Sequence, residues 1–410
     1  MKSILVHPPK QAIKSEIKLA ASKSECNRAL IINALTGFKS ELTNISEARD
    51  SQTMLRLLGS ADFEADVIDA GTTMRFLTAY FAVTNQKKRM TGTPRMCERP
   101  IGILVDALRI LGADIQYEKV EGYPPLLLNG FNYSGNNVLT MRGDVSSQYI
   151  SALLLVAPAL PDGLTIQLEG EVGSRPYIEM TLNQMASFGI AYQANWETNT
   201  LHIPASTYKA APYAIESDWS GASYWYSIVA LADDAEVELL GLKEDSLQGD
   251  SAIAEIMSHL GVESTFTDRG VLLRKIPASA SIGWDFTACP DLAQTVAVCC
   301  AMKNIPLSLT GIESLKIKET DRVLALQQEL KKLGAELKEV ETNHLYQVSR
   351  IADFPTTTPS IHTYDDHRMA MAFAPVGMLH PILIEEPGVV VKSYPGYWKD
   401  LAKVTTWEEI

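Results

Sequence analysis

Six stretches of this 410-residue chain are apolar on nearly every face yet open on polar or small residues. They read SKSECNRALIINAL, GTTMRFLTAYFAV, SSQYISALLLVAP, SGASYWYSIVALA, PDLAQTVAVCC and DDHRMAMAFAPVG. A helix apolar all round has to be buried. Each stretch therefore predicts the central helix of a packing unit, with its polar start at one end. A second phrase alternates with the first: an amphipathic helix that ends on hydrophobics and glycine, then a polar strand. It appears as MLRLLGSADFEADV, LVDALRILGADIQYE, TLNQMASFGIAYQA, IAEIMSHLGVESTF and LQQELKKLGAELKEV. Gly59, Gly112, Gly189, Gly261 and Gly334 are read as residues at positive φ that stop these helices. The intervening LTIQLEG, AEVELLG and IPLSLTG read as strands.

The chain is thus a repeat of six α+β units, each with one buried helix, one amphipathic helix and a small sheet. Six such units exceed a single hydrophobic core and divide naturally into two domains of three. The segment PASTYKAAPYAIESD, near residues 204–218, reads as a crossover. The first unit is short, because only GSADFEADVI separates Gly59 from the next buried helix.

A net charge of −13 disfavours nucleic acid and anionic membranes as partners. An anionic ligand would need a local basic cluster that overrides the global field. Cys26, Cys97, Cys289, Cys299 and Cys300 form no C-x-x-C pair, which points to packing in a reduced compartment rather than disulfides or zinc. The opening MKSILVHPPK is too short in apolar run for a signal peptide, and no stretch approaches a membrane span. A soluble, cytoplasmic protein is expected.

Most candidate chemistry lies at the starts of the buried helices. Lys23, Ser24 and Arg28 stand at the first; Gly71, Thr72 and Arg75 at the second; Ser146, Ser147 and Gln148 at the third. Asp291 opens the fifth, and Asp366, His367 and Arg368 open the sixth. Free N–H groups at a helix start favour anions. Ser and Asp there are more often caps than ligands. An arginine at a helix start opposes the dipole, so Arg75 and Arg368 need a partner, either a carboxylate or a ligand. In KIKETDRVLAL, Lys318, Glu319, Asp321 and Arg322 crowd together. They are either a solvated helix start capped by Thr320, or a catalytic carboxylate flanked by bases. RMCERP places Arg95 and Arg99 before Pro100. VVKSYPGYW places Lys392 at an expected strand end. P-loop, Rossmann and nucleophile-elbow motifs are absent, and the seven histidines lack metal spacing.

SKSECNRALI, AGTTMR, PRMCERPIGILVDAL, GDVSSQY, GSRPYI, KETDR, DDHRMAMAFA and VKSYPGYWKDL together resemble, in order, the signatures of the 5-enolpyruvylshikimate-3-phosphate synthase family. The resemblance runs over nearly the whole chain. It implies an α/β (α+β) fold of two domains, each with three βαβαββ-like units around buried parallel helices. Residues 1–20 with 218–410 would form one domain and 21–217 the other, with crossovers near 20 and 217. The implied reaction joins phosphoenolpyruvate to shikimate 3-phosphate and releases phosphate, with no metal or organic cofactor. The protein is expected to be a monomer whose domains close on the substrates, acting in chorismate and aromatic amino acid biosynthesis.

Carried over by motif, Lys23 would touch both substrates. Ser24, Arg28, Ser146, Ser147, Ser174, Tyr177 and Lys318 would hold shikimate 3-phosphate, with Gln148 lying between the substrates. Gly71, Arg95, Arg322, Arg368 and Lys392 would hold phosphoenolpyruvate. Asp291 would take the proton of the substrate hydroxyl. Glu319 or Lys23 would protonate the enolpyruvyl carbon or the phosphate.

The stretch DAGTTMRFL departs from the family's usual N-A-G-T-A-M-R-P-L. Asp69 replaces Asn, Thr73 replaces Ala and Phe76 replaces Pro. Ser314 stands where many members carry Asn. Asp69 either caps its helix and pairs with a cation such as Lys23, or weakens an anion site. The family is the target of glyphosate; Gly71 favours sensitivity, while Phe76 is positioned to shift the helix. Three rival readings fit the sequence less well. An enolpyruvyl transferase of nucleotide-linked aminosugars would carry a reactive loop cysteine and lack DDHRMAM. A non-catalytic anion binder would not want both Asp291 and Glu319. A purely structural repeat would not concentrate Arg and Lys at helix starts.

Overall fold

The computed structural model describes residues 2–410. The chain forms two compact units, Lys23–Ile215 and a second that joins the segment ending at Ser22 to Glu216–Ile410.

In Lys23–Ile215 the helices are α1 (Lys23–Leu35), α2 (Arg49–Leu58), α3 (Gly71–Val83), the single turn α4 (Pro94–Cys97), α5 (Gly102–Leu111), α6 (Ser147–Val156) and α7 (Arg175–Ser187). The segments read as apolar all round become α1, α3 and α6, each buried along most of its length. In the other unit the helices are α8 (Trp219–Leu231), α9 (Ile253–His259), α10 (Ala293–Lys303), α11 (Arg322–Lys332), α12 (His367–Phe373) and α13 (Tyr397–Leu401). There α8, α10 and α12 are buried.

One strand pattern recurs in five sheets. Two parallel strands lie beside the buried helix, and two antiparallel strands extend the sheet. Around α3, strand Glu64–Asp66 pairs parallel with Lys88–Thr91, which pairs antiparallel with Leu126–Phe131 and so reaches Ala113–Tyr117. Around α6, Val138–Arg142 and Leu164–Glu169 are the parallel pair. Around α10 the pair is Ile282–Asp285 with Leu307–Thr310. Around α12 it is Ser360–Ile361 with Ile382–Glu385. Around α8, Ile13–Lys18 pairs parallel with Ala235–Leu240. Parallel neighbours need a long crossover; a buried helix supplies it in four of these sheets, whereas the whole of Lys23–Ile215 as well as α8 lies between Ile13–Lys18 and Ala235–Leu240. The α1–α2 unit keeps only the parallel pair, Tyr213–Ala214 with Leu42–Thr43, in a two-stranded sheet.

Four of the helix-stopping glycines behave as read: Gly112, Gly189, Gly261 and Gly334 hold φ of 112°, 81°, 93° and 77°. Gly59 does not; its φ is −88°. Gly112, Gly261 and Gly334 lead directly into strands and must reverse the chain at once. Gly59 keeps a right-handed helical conformation, and the next strand begins at Glu64. Among the described residues no helix is long and apolar enough to cross a membrane.

Candidate active site

Within Lys23–Ile215, polar residues gather at the starts of α1, α3, α6 and α7. The loop into α3 is held tightly. Ile68 sits at φ 60°, an unusual conformation for a β-branched residue. Its N–H donates to Asp66 Oδ1 at 2.7 Å and its carbonyl accepts from Thr93. Ala70 occupies the N-cap position of α3 and offers no side-chain cap. A Cβ on Gly71 would lie 2.8 Å from Arg75 Nη1 and 2.8 Å from both terminal nitrogens of Arg99. Glycine is therefore the residue that lets two buried guanidiniums close on this helix start. Arg75 donates to the carbonyls of Gly71 and Pro100, at 3.1 and 2.8 Å.

Asp69 pairs with Arg49 at 2.8 Å, not with Lys23. Lys23 instead meets the buried Asp50 at 3.2 Å. The neighbouring Arg49 and Asp50, at the first turn of α2, thus take one partner each. Gln148 Nε2 donates to Thr72 Oγ1 at 3.1 Å and ties α6 to α3. Ser146 caps α6 through the Gln148 N–H, the commoner use of such a serine, and Ser147 is buried in its first turn.

Arg28 is buried, and desolvation lowers its pKa to about 10. It donates to Thr181, Ser151 and the carbonyls of Ser24 and Tyr177. The ring of Phe76, inside an uninterrupted α3, lies 5.4 Å from its guanidinium. Ser174 precedes α7 at φ 52°. Arg95 is exposed on α4, with Glu98 at 3.3 Å. Arg99, outside the implied contact set, stands with Arg75 at Gly71.

In the other unit, charged side chains converge on Arg322. This arginine is 2% exposed and donates to Asp366 at 2.6 Å, Glu319 at 2.8 Å and Asp291 at 3.0 Å. Asp291, in the turn Pro290–Leu292 before α10, also accepts from Arg368 at 2.8 Å. Lys392 reaches Glu319 at 3.4 Å. It is buried at the end of a 3₁₀ turn, Pro387–Lys392, rather than at a strand end, because the strand stops at Glu385. Asp321, not Thr320, caps α11. Asp366 caps α12 through the Arg368 N–H at 2.8 Å. Two consecutive left-handed residues, Tyr364 and Asp365, precede that cap. Ser314 is exposed in the turn Glu313–Ile317.

Burial raises the Asp291 pKa, but Arg368, Lys318 and Arg322 outweigh it and hold the carboxyl well below its usual range. Burial lowers the Arg322 pKa; Asp366, Glu319 and Asp291 reverse this and leave it raised. Of the two arginines at helix starts, Arg368 pairs with the Asp291 carboxylate, whereas Arg75 donates to backbone carbonyls. Backbone held in sparsely populated conformations before α3, α7 and α12 is the kind that persists at ligand-handling loops.

Sequence reading missed Asp250, Ser220 and Tyr224. Asp250 is buried within LKEDSLQGD, a polar stretch with no motif, and accepts from Ser220. Ser220 and Tyr224 lie inside an apolar helix, where nothing local marks them as neighbours of Arg368.

The match to known proteins extends over most of the chain. Residues 59–401 match the family model described as EPSP synthase (3-phosphoshikimate 1-carboxyvinyltransferase). A 3-phosphoshikimate 1-carboxyvinyltransferase of Bacteroides fragilis is 48% identical over 403 residues, 97% of each chain. One from Aliivibrio salmonicida is 34% identical over 442 aligned residues, 99% of this chain and 100% of that one. The EPSP synthase structure from Acinetobacter baumannii superposes with a TM-score of 0.78 at 20% identity, covering both chains fully, and so bears on the fold. Two units of repeated βα modules with charged helix starts define an enolpyruvyl transferase. The chain belongs to the EPSP synthase (3-phosphoshikimate 1-carboxyvinyltransferase) family. Its activity is enolpyruvyl transfer from phosphoenolpyruvate to shikimate 3-phosphate, in aromatic amino acid biosynthesis.

Proposed function

We propose that transfer proceeds by addition and elimination, with the charged cluster around Arg322 handling phosphoenolpyruvate. The 5-hydroxyl of shikimate 3-phosphate adds to C2 while C3 gains a proton. The tetrahedral intermediate then loses phosphate and the C3 proton, which restores the double bond. The observation that carries this reading is Asp291 held at hydrogen-bond distance from both Arg322 and Arg368. Two guanidiniums are suited to bidentate grip on carboxylate and phosphate. Asp291 accepts the hydroxyl proton. In the unliganded cluster it is too acidic for that work. Anionic groups docked on Arg322, Arg368 and Lys318 offset those cations and raise its basicity.

Glu319, between Arg322 and Lys392, or Lys23 delivers the proton to the enolpyruvyl group. Arg322, Arg368 and Lys392 hold phosphoenolpyruvate, as do Lys23, Gly71, Arg95 and Gln148. Lys23, Ser24, Arg28, Ser146, Ser147, Gln148, Ser174, Tyr177, Asp291 and Lys318 hold shikimate 3-phosphate. Arg28 of α1 donates to the carbonyls of Ser24 and Tyr177, and Ser174 precedes α7, the helix that carries Tyr177, which supports that grouping. A cytoplasmic monomer fits the free cysteines and the scattered exposed apolar side chains.

Phosphate release tests the reading. It should require both substrates together. Asp291→Ala should lower kcat by about 10²-fold or more, as for a lost acid–base group, with a smaller effect on binding. Arg368→Ala should mainly raise the KM for phosphoenolpyruvate. Normal turnover by Asp291→Ala would remove it as proton acceptor.

A further inference from the structure

The reaction as proposed leaves the buried acid Asp250 unused. Asp250, 2% exposed, lies in the short turn Gly249–Ala252. Its neighbour Gln248 fixes that turn: its amide donates to Glu216 and to the Ser217 carbonyl, and its oxygen accepts from the Trp219 N–H. Asp250 Oδ2 accepts the Ser220 hydroxyl. Ser220 Oγ in turn accepts from Arg368 Nη2 at 3.4 Å, and the same nitrogen donates to Asp291 at 2.8 Å. A line of contacts therefore runs from Asp250 through Ser220 to Arg368 and Asp291.

The groups facing Asp250 are Asp218 and Ser220 from the start of α8, Asp291 and Cys289 from the turn before α10, and Arg368 from α12. Beyond them stand Tyr224, Arg322, Asp366 with His367, Glu319, Lys318 and Lys392. Of these, Asp218, Asp250, Asp291, Glu319 and Asp366 outnumber Arg322, Arg368, Lys318 and Lys392 by one. An anion docked on Arg368 makes the excess worse. A buried cluster relieves such an excess by binding a proton.

We propose that Asp250 is the group that takes up this proton, and that through Ser220 it sets how strongly Arg368 holds an anion. Ionised, Asp250 draws the Ser220 hydroxyl to itself. Protonated, it donates to Ser220 Oγ and frees the serine O–H to donate to the docked anion. The proton comes from solvent and stays on the carboxyl while the anion is bound. Asp250 is thus a positioning residue, and the inference rests on the reading of Arg368 as an anion ligand. Burial, then the Asp291 charge, push its pKa up to about 6, which leaves it ready to protonate near neutrality. The sign follows: anion affinity rises as pH falls through that value, and binding carries proton uptake.

Sulfate is the probe, since it does not titrate near neutrality. Calorimetry of the intact protein at pH 7, in buffers of different ionisation enthalpy, should show net proton uptake on sulfate binding. Asp250→Asn should abolish the uptake. It should also bind sulfate about tenfold more tightly than wild type at pH 8 and equally at pH 5, the effect of a one-unit pKa displacement. Wild-type binding without proton uptake overturns the inference even if the variant fails to fold, as does an unchanged pH slope in Asp250→Asn. Sulfate binding that survives Arg368→Ala undiminished overturns instead the anion-ligand reading, and the inference with it.

Discussion

Asp69 sits beside a helix start that favours anions, and its partner decides what it does there. Arg49 holds it at 2.8 Å, with the aspartate side chain 18% exposed and the arginine 39%. A partly exposed pair of this kind is worth at most about 1 kcal/mol. Its effect on a neighbouring anion is therefore modest and mainly one of charge. Arg49→Ala should reduce the compensation of the Asp69 charge near Gly71 and raise the KM for phosphoenolpyruvate by about two- to fivefold, a cost of up to about 1 kcal/mol, with kcat nearly kept. Asp69→Asn on top of Arg49→Ala should restore the KM. Steady-state kinetics of the double-mutant cycle checks this. Two independent effects that simply multiply would show that the pair does not shield the site.

The same pair marks where sequence reading stopped. The helix starts were legible because charge and small residues interrupt an otherwise apolar run. Partner choice was not legible. Lys23 and Arg49 are both cations far from Asp69 along the chain, and only the placement of α2 sends one to Asp50 and the other to Asp69. Asp250 was invisible for a related reason, since an acid in a polar loop looks solvated until the fold buries it.

At the scale of elements, the repeated helix–glycine–strand phrase predicted four left-handed stops correctly and one wrongly. The contrast can be measured. At Gly112, with φ of 112°, a Cβ would lie 1.9 Å from the Asn132 carbonyl oxygen. At Gly59, with φ of −88°, the nearest atoms are 3.7 Å away. Gly112→Ala should therefore destabilise the protein by well over about 1 kcal/mol, because backbone strain and a clash add. Gly59→Ala should be neutral, or stabilising by about 0.4–1 kcal/mol, because it restricts only the unfolded chain. Chemical denaturation of the two variants separates these outcomes. Equal losses would mean that helix termination, rather than φ, sets the cost. Periodicity showed where helices end but not the sign of φ: Gly189 at 81° and Gly59 at −88° both stand several residues before the next strand.

For the whole molecule, one unit is contiguous in the chain and the other is built from both of its ends. Lys23–Ile215 is a contiguous stretch. The other unit needs both ends of the chain: Ser3–Val6 pairs with Ile382–Glu385 on one side and with Trp407–Glu409 on the other. Ile13–Lys18 similarly waits for Ala235–Leu240. Closing a loop of roughly 380 residues costs about 3 kcal/mol more than closing one of roughly 15, since the entropy grows with the logarithm of length. Non-local pairing is correspondingly slow. The contiguous unit should therefore gain protection first during refolding from denaturant. Pulse-labelled hydrogen exchange should find the amides of α3 and α6 protected before those of Ile4, Leu5 and Ile384. Removal of the segment that carries Ser3–Val6 takes out an internal strand, so it should abolish protection of Ile382–Glu385 while Lys23–Ile215 still folds. Simultaneous protection of both units in the intact chain would mean that assembly is limited by a step they share, and loop closure would not set the order.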